Sequence, residues 1–328
     1  MKKMFFLLLF ILNFSDLIPS PPCCDFYYIP EKVKGGYGKC EVHSYIEESL
    51  FWKYEKIWEI YYYDSLGNRI EKVRLNNKNL IIQKNNYFYN NKGNLIENTY
   101  TDDMGHNIKF SFSYDAKDSL IEVTKHFLHN SQNEKQIYVY DDNGNQIEEI
   151  TYNTDGHSSY HVKRIYDKRS NLIETNYINW DGTKSNRIVF EFDSNNNQIK
   201  SLNYGSSGSL FSHSKSWYNK KNELIETISY DIKNDITSHF KYSYKYNNDG
   251  VIIKKIMKDQ LNGIELIYIF DDYGNNTGYL ESYSFFSRGE KWTRKYDEFG
   301  NVTEFIFYKN PKDEQGSNTY KLVYIYSK

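Results

Sequence analysis

Along most of the chain, short stretches rich in aromatic and β-branched residues alternate with polar knots of Asp, Asn and Gly. One pair of stretches reads Lys135-Gln136-Ile137-Tyr138-Val139-Tyr140 and Asn145-Gln146-Ile147-Glu148-Glu149-Ile150-Thr151-Tyr152. Their partial alternation of apolar and polar positions is the period of a half-buried strand. A Gly or Asn turn signal arrives roughly every 13 residues, which argues against helices. Short turns between successive strands imply antiparallel pairing.

The knots recur in phase. Aromatic-Asp/Asn pairs fall at Tyr63, Tyr89, Tyr114, Tyr140, Tyr166, Phe192, Tyr218, Tyr246, Phe270 and Tyr296, so 233 residues are covered in nine steps of about 26. The fullest form is Tyr-Asp-x-x-Gly-Asn-x-Ile-Glu. A second turn follows in each unit, at Asn79, Gly105, Gly156, Gly182, Gly208 and Asn234, and at Gly263, Gly289 and Gly316 in longer late copies. Gly and Asn suit these places because both tolerate the left-handed backbone of tight turns.

Each unit is therefore a strand, a turn, a second strand and a turn. Ten units predict an all-β antiparallel meander of about twenty strands. Laid flat at ~4.8 Å per strand it would run roughly 90–100 Å. A native twist of about 20° per strand would turn it through about a full revolution. The expectation is a coiled or spiralling single sheet, with a concave aromatic face and a more polar convex face.

Composition sharpens this picture. The chain has 328 residues, 33 of them Tyr, and is 18% aromatic, too rich in rings for a disordered chain. Tyr suits a half-buried sheet, because its ring packs while its hydroxyl stays wet. With 41 basic and 43 acidic residues the net charge is −2, which gives no electrostatic case for nucleic acid. Glu follows the Ile position at Glu71, Glu97, Glu122, Glu148, Glu174 and Glu226, and Glu304 stands at the same place. Lys or Arg recurs on the strand before the aromatic motif, at Lys109, Lys135, Arg187, Lys241 and Lys291. A row of cross-strand charge pairs is the favoured reading, over an acidic stripe that binds cations.

The N-terminus differs. Lys2 and Lys3 precede an apolar run from Met4 to Leu12 that is too short to span a bilayer as a helix. It reads as a secretory signal over residues 1–20. Residues 21–50 carry no repeat and are expected to cap the first strand, with 51–328 as the repeat domain. Cys23 or Cys24 is a lipidation candidate, the only membrane contact expected. The other reading is a disulfide from one of them to Cys40, suited to an oxidising compartment. Export places the protein at the cell surface, in the periplasm or outside.

The motifs Tyr63-Asp64-Ser65-Leu66-Gly67-Asn68-Arg69-Ile70-Glu71, Tyr140-Asp141-Asp142-Asn143-Gly144-Asn145-Gln146-Ile147-Glu148 and Tyr296-Asp297-Glu298-Phe299-Gly300-Asn301 resemble the YD repeats of Rhs and Tc-toxin proteins. The resemblance covers roughly residues 50–328. It implies a long spiralling β-sheet, which in that family can wall a shell around a toxic domain, and a carbohydrate- or surface-binding role. The chain is far shorter than large family members, so the sheet rather than toxin encapsulation is what carries over.

Little chemistry stands out, so no catalytic residue, cofactor or metal ligand is assigned. His157 and His161 have a helical metal spacing, but in strand and turn that spacing separates them by about 13 Å. The Asp/Asn/Gly knots resemble calcium loops superficially, yet turns need the same residues. The binding candidates are aromatic: Trp180 at a turn tip, with Tyr177 and Tyr152 nearby in sequence. Trp217 and Trp292, on strands, read as core. The expected function is non-enzymatic binding or structure, with a glycan or surface protein as partner. The alternatives are a polysaccharide-acting enzyme, with the longer late loops as its place, or an immunity-type partner of an Rhs-like toxin.

Overall fold

The computed structural model describes residues 32–48, 51–130, 132–272, 274–282, 287–308 and 319–328. The signal expected over 1–20, and Cys23 and Cys24, lie outside the described residues. Everything that follows belongs to one compact unit, Glu31–Lys328.

The described residues form 22 strands. They are β1 (Lys39–Glu48), β2 (Phe51–Tyr63), β3 (Arg69–Leu75), β4 (Ile81–Tyr89), β5 (Leu95–Asp102), β6 (Asn107–Tyr114), β7 (Leu120–Phe127) and β8 (Gln132–Tyr140). Then come β9 (Gln146–Tyr152), β10 (Ser158–Tyr166), β11 (Leu172–Ile178), β12 (Lys184–Phe192), β13 (Gln198–Tyr204), β14 (Leu210–Tyr218) and β15 (Leu224–Asp231). The rest are β16 (Ile236–Tyr246), β17 (Ile252–Asp259), β18 (Glu265–Phe270), β19 (Asn276–Ser282), β20 (Ser287–Tyr296), β21 (Val302–Tyr308) and β22 (Thr319–Ser327).

Each strand pairs antiparallel with its neighbours in sequence. The coiled meander goes one step further than the repeats imply. β1 also pairs antiparallel with β22, from Lys39↔Ser327 to Ile46↔Tyr320, so the hydrogen-bonded circuit closes. Within the segment expected to cap the sheet, residues 39–48 are thus a strand that joins its two ends. Closure removes the unpaired edge that an open meander would offer to other chains.

The turn chemistry explains the repeat. In the copies starting at Asp64, Asp141, Asp167, Asp193 and Asp297, Oδ1 accepts the backbone N–H groups two and four residues on. Oδ2 accepts the side-chain amide of the Asn four on, all at 2.8–2.9 Å. One carboxylate thus satisfies three donors that a tight loop would otherwise leave without partners. The fourth residue sits at positive φ, as Gly144 (+83°) or, without glycine, Asn196 (+66°). The Tyr of the motif has its own task. Tyr89, Tyr114, Tyr140, Tyr166 and Tyr218 donate their hydroxyls to the carbonyls of Arg69, Leu95, Leu120, Gln146 and Gln198 at 2.8–3.1 Å. Each copy is thereby stitched to the exit of the previous copy's turn, for about 1 kcal/mol net per bond.

The second turns form as expected where described: Asn79, Gly105, Gly156, Gly182, Gly208, Asn234 and Gly263 all have positive φ. Gly289 is different. It lies inside β20, opposite Leu280, and not in a turn; Gly316 falls outside the described residues.

Because side chains alternate, the register divides the wall into two faces. One carries Cys40, Val42, Tyr61, Val123, Tyr138, Val162, Met257, Phe305, Leu322 and Tyr324, all buried. The other exposes Phe88, Val139, Ile165, Trp217 and Ile325. On a closed sheet the side chains of the concave side converge and shield one another, so the first face is the inner one. Trp217, expected in the core, is on the outer face and 40% exposed. Trp292 is half-buried, its indole N–H donating to the Asn276 carbonyl at 2.9 Å.

The seam has its own device. Residues 32–38 run along the rim of the Tyr-Asp turns. Val33 N donates to Gly67 O, Gly38 N to Ser327 O and Tyr63 N to Gly38 O, at 2.9–3.0 Å. The Tyr37 ring packs against Phe299 and Tyr326. Gly67 is required for this approach, since a Cβ there would lie 2.1 Å from the Val33 carbonyl oxygen. Beneath it Cys40 is a free, fully buried thiol on the inner face. β-Pairing aims this side chain inward among Tyr61 and Tyr326, its register partners; Cys23 and Cys24, its partners in the disulfide reading, lie outside the described residues.

Candidate functional site

Three surfaces could carry function: the outer charge row, the rim bearing Trp180, and the inner wall. The charge row is paired off. Lys84–Glu71, Lys109–Glu97, Lys135–Glu122 and Lys295–Glu304 meet at 2.5–2.8 Å, and Arg187 reaches Glu174 at 3.7 Å. Glu148 and Glu226 each hold a His as well, His161 and His239, both at 2.7 Å. The His239 hydrogen bond holds the Glu226 carboxyl below its ordinary range. Burial raises the Glu148 pKa, but bonds from His161 and Lys163 outweigh it and the net shift is downward. Exposed pairs of this kind are worth about 0.2–1 kcal/mol each. They form the wet face of a sheet, not an acidic stripe.

No group of three or more metal-ligating side chains occurs among the described residues. His161 is engaged with Glu148, while His157 sits in the preceding β9–β10 turn, its ring centroid 6.3 Å from that of Trp180. The lengthened turn after β17 is closed by Asp259, whose carboxylate accepts from Leu261 N, Asn262 N and Asn262 Nδ2. The late loop 309–318 lies outside the described residues.

The three aromatic candidates do not share a surface. Trp180 stands on the β11–β12 turn, 74% exposed. Tyr177 faces inward, edge-on to Tyr160 at 6.4 Å. Tyr152 faces outward, opposite Lys135. Trp180 instead has company along its rim. The second turns also present Leu80, Met104, Leu128, Ile232 and Leu261 as exposed side chains, Met104 at 76%. The tips of the opposite rim are mostly polar: Asn91-Lys92, Ala116-Lys117, Asp142-Asn143, Lys168-Arg169, Ser194-Asn195, Lys220-Lys221 and Asn248-Asp249. They are cross-linked from copy to copy by Lys92–Asp118, Asn171–Asn196 and Asn197–Asn222 contacts. Among the described residues Leu66 and Phe299 are the large apolar tips of this rim, and both flank the seam.

The inner wall is aromatic and mostly neutral, with its cations paired. Lys72 and Arg74 share Glu59, Lys125 meets Glu134 and Arg164 meets Glu149, at 2.8–3.3 Å. Lys255 is different. It lies between Tyr244 and Tyr268 in register, with its ammonium 5.3 Å from the Tyr242 ring centre. Burial lowers its pKa. It lines an open pocket of about 500 Å³ with Tyr244, Gly250, Ile252, Phe270 and Gly274. Alternation carried the signal: in Lys254-Lys255 one of the two lysines must face inward.

No family model and no curated protein matches the sequence. Among solved structures, the chain has a weak, partial similarity to the TcdB2–TccC3 complex, with TM-score 0.31 and 11% identity over 81% of this chain and 17% of that one. The Photorhabdus luminescens Tc holotoxin pore gives TM-score 0.29 and 11% identity over 80% and 16%. A porin-like protein from Bacteroides uniformis gives TM-score 0.32 and 11% identity over 89% and 98%. The chain spans about a sixth of the length of the toxin chains. What is shown is a large antiparallel β-sheet protein of 22 strands.

Proposed function

We propose that this protein is an exported, non-enzymatic binding module that seats a partner on its apolar rim. The observation that carries the reading is the asymmetry of the two rims. Large apolar side chains on loop tips lose free energy in water, and contiguous sets of them mark interaction surfaces. Tips of successive units stand two strands apart, about 10 Å, and the polar turns Thr154-Asp155 and Ser206-Ser207 break the row on either side of Trp180, so it matches a broad partner surface rather than a small ligand. Export rests on Lys2-Lys3 and the apolar run that follows.

A protein surface suits this rim better than a glycan. Sugar stacking needs flat rings placed together, and among the described residues Trp180 has the His157 ring beside it, with Tyr152 and Tyr177 on opposite faces. The YD-repeat likeness of the sequence supports surface binding in general terms. The test is retention of surface extracts and of a glycan panel by the immobilised mature protein. The same extracts are run over a Met104→Ser, Trp180→Ala, Ile232→Ser variant. A partner kept by the wild type and lost by the variant supports the reading. Equal retention by both, or a glycan held independently of Trp180, contradicts it.

A further inference from the structure

A charged amine set into an aromatic wall is costly unless something pairs with it. The other inner-wall cations with described ion pairs meet a carboxylate. Lys255 meets none. Its cross-strand neighbours are Tyr244 and Tyr268, its neighbours along β17 are Ile253 and Met257, and Tyr242 lies under its ammonium. The inner-face carboxylate Glu281, on β19, bears on Tyr268. On the outer side, Lys254 faces Lys245 and Ile269, so no carboxylate approaches through the strand either.

The space beside this amine is a pocket, and its walls are chemically mixed. Lys255 supplies positive charge. The Tyr244 ring lines the pocket, and its hydroxyl donates to the Leu224 carbonyl at 2.9 Å, which fixes the ring. Ile252 and Phe270 supply apolar surface, and Gly250 and Gly274, both at positive φ in their turns, line it without side chains of their own. A ligand that satisfies such walls needs one anionic end for the ammonium and one flat or cyclic body for the rings. The volume of about 500 Å³ suits a compound of one or two rings.

We propose that the Lys255 pocket binds a small organic carboxylate carried on an aromatic or sugar ring. The carboxylate pairs with the Lys255 ammonium and the ring lies against Tyr244 and Phe270. This site is on the inner wall and is independent of the apolar rim, so either reading can fail without the other.

Titration calorimetry on the full mature chain tests it, with four probes: 4-hydroxybenzoate, galacturonate and their neutral counterparts 4-hydroxybenzamide and galactose. At least one carboxylate should bind ten-fold or more tighter than its neutral counterpart, and the arm that binds tells an aromatic source from a sugar source. Lys255→Gln should abolish that binding and Lys255→Arg should retain part of it. Lys255→Gln should also unfold at the same temperature as wild type or higher, since it removes a half-buried charge that no described carboxylate pairs. Three results would overturn the proposal: neither carboxylate binds at millimolar concentration, the neutral probes bind equally well, or Lys255→Gln, folded by circular dichroism, binds as the wild type does.

Discussion

Asn301 clasps Lys34 across the seam of the sheet, 267 residues away in sequence. Its Oδ1 accepts the Lys34 backbone N–H at 3.0 Å, and its Nδ2 donates to the Lys34 carbonyl at 2.9 Å. In other copies this Asn reaches the next turn, as Asn197 reaches Asn222. At the last copy the N-terminal segment takes the place of that next turn.

Removing this clasp should loosen the seam. Asn301→Ala deletes both bonds at a buried site, together with the amide's bond to Asp297, and leaves the Lys34 groups without partners there, a loss of about 1–3 kcal/mol. Urea unfolding should show the lower midpoint, and hydrogen exchange should speed up first in β1 and β22. An unchanged midpoint would show that the clasp is incidental.

The Tyr ladder makes a paired prediction. Tyr140→Phe removes the bond to Leu120 O and should cost about 1 kcal/mol. Phe192 occupies the same position in its own copy, 20 residues after Leu172, and has no hydroxyl. Phe192→Tyr should therefore gain a similar amount. Opposite signs in thermal unfolding are expected; a shift of the same sign in both variants counts against the ladder.

Acid should strip the turns. The Asp141, Asp167 and Asp193 carboxyls are held below their ordinary value of 3.8, first by the side-chain amide of Asn145, Asn171 or Asn197 and then by backbone N–H groups. A folded pKa below the unfolded one means that the contribution is full above about pH 4 and is lost as pH falls through the folded pKa. A triple Asp→Asn variant keeps the Oδ1 acceptor, as Asn90 does naturally. Its melting temperature should fall less between pH 5 and pH 2 than that of the wild type; an identical fall means the turns do not contribute.

Cys40 should be inert. Burial pushes its thiol up to about 12, so almost no thiolate exists at neutral pH. In a Cys23→Ser, Cys24→Ser background, a thiol reagent should label the protein only in denaturant. Rapid labelling of the native chain would mean that the seam opens.

The meander was legible in the sequence because turn chemistry and strand chemistry both repeat: the Asp-x-x-Gly-Asn knot builds its own hydrogen bonds locally. The Glu row was legible for the same reason, since its Lys partners lie one hairpin away. Closure was not, because β1 carries no copy of the motif and its partner β22 is at the far end of the chain. Gly289 shows the limit of counting glycines: it keeps the spacing of a turn but sits in a strand. The Trp180, Tyr152 and Tyr177 set failed on register, which places Tyr152 and Tyr177 on opposite faces although only 25 residues separate them. The Lys255 pocket was hidden for want of an outer and an inner face, although the Lys254-Lys255 pair marked it.

The closed circuit rests on β1 meeting β22, where Glu41 lies directly opposite Ile325 on the outer face. Glu41→Cys and Ile325→Cys, in the Cys23→Ser, Cys24→Ser background, place two reachable thiols side by side. Treated with a short bismaleimide at low protein concentration and read by mass spectrometry, the chain should carry an intramolecular cross-link between positions 41 and 325 in high yield. An open spiral would keep those ends apart, and singly modified or intermolecularly linked chains alone would contradict closure.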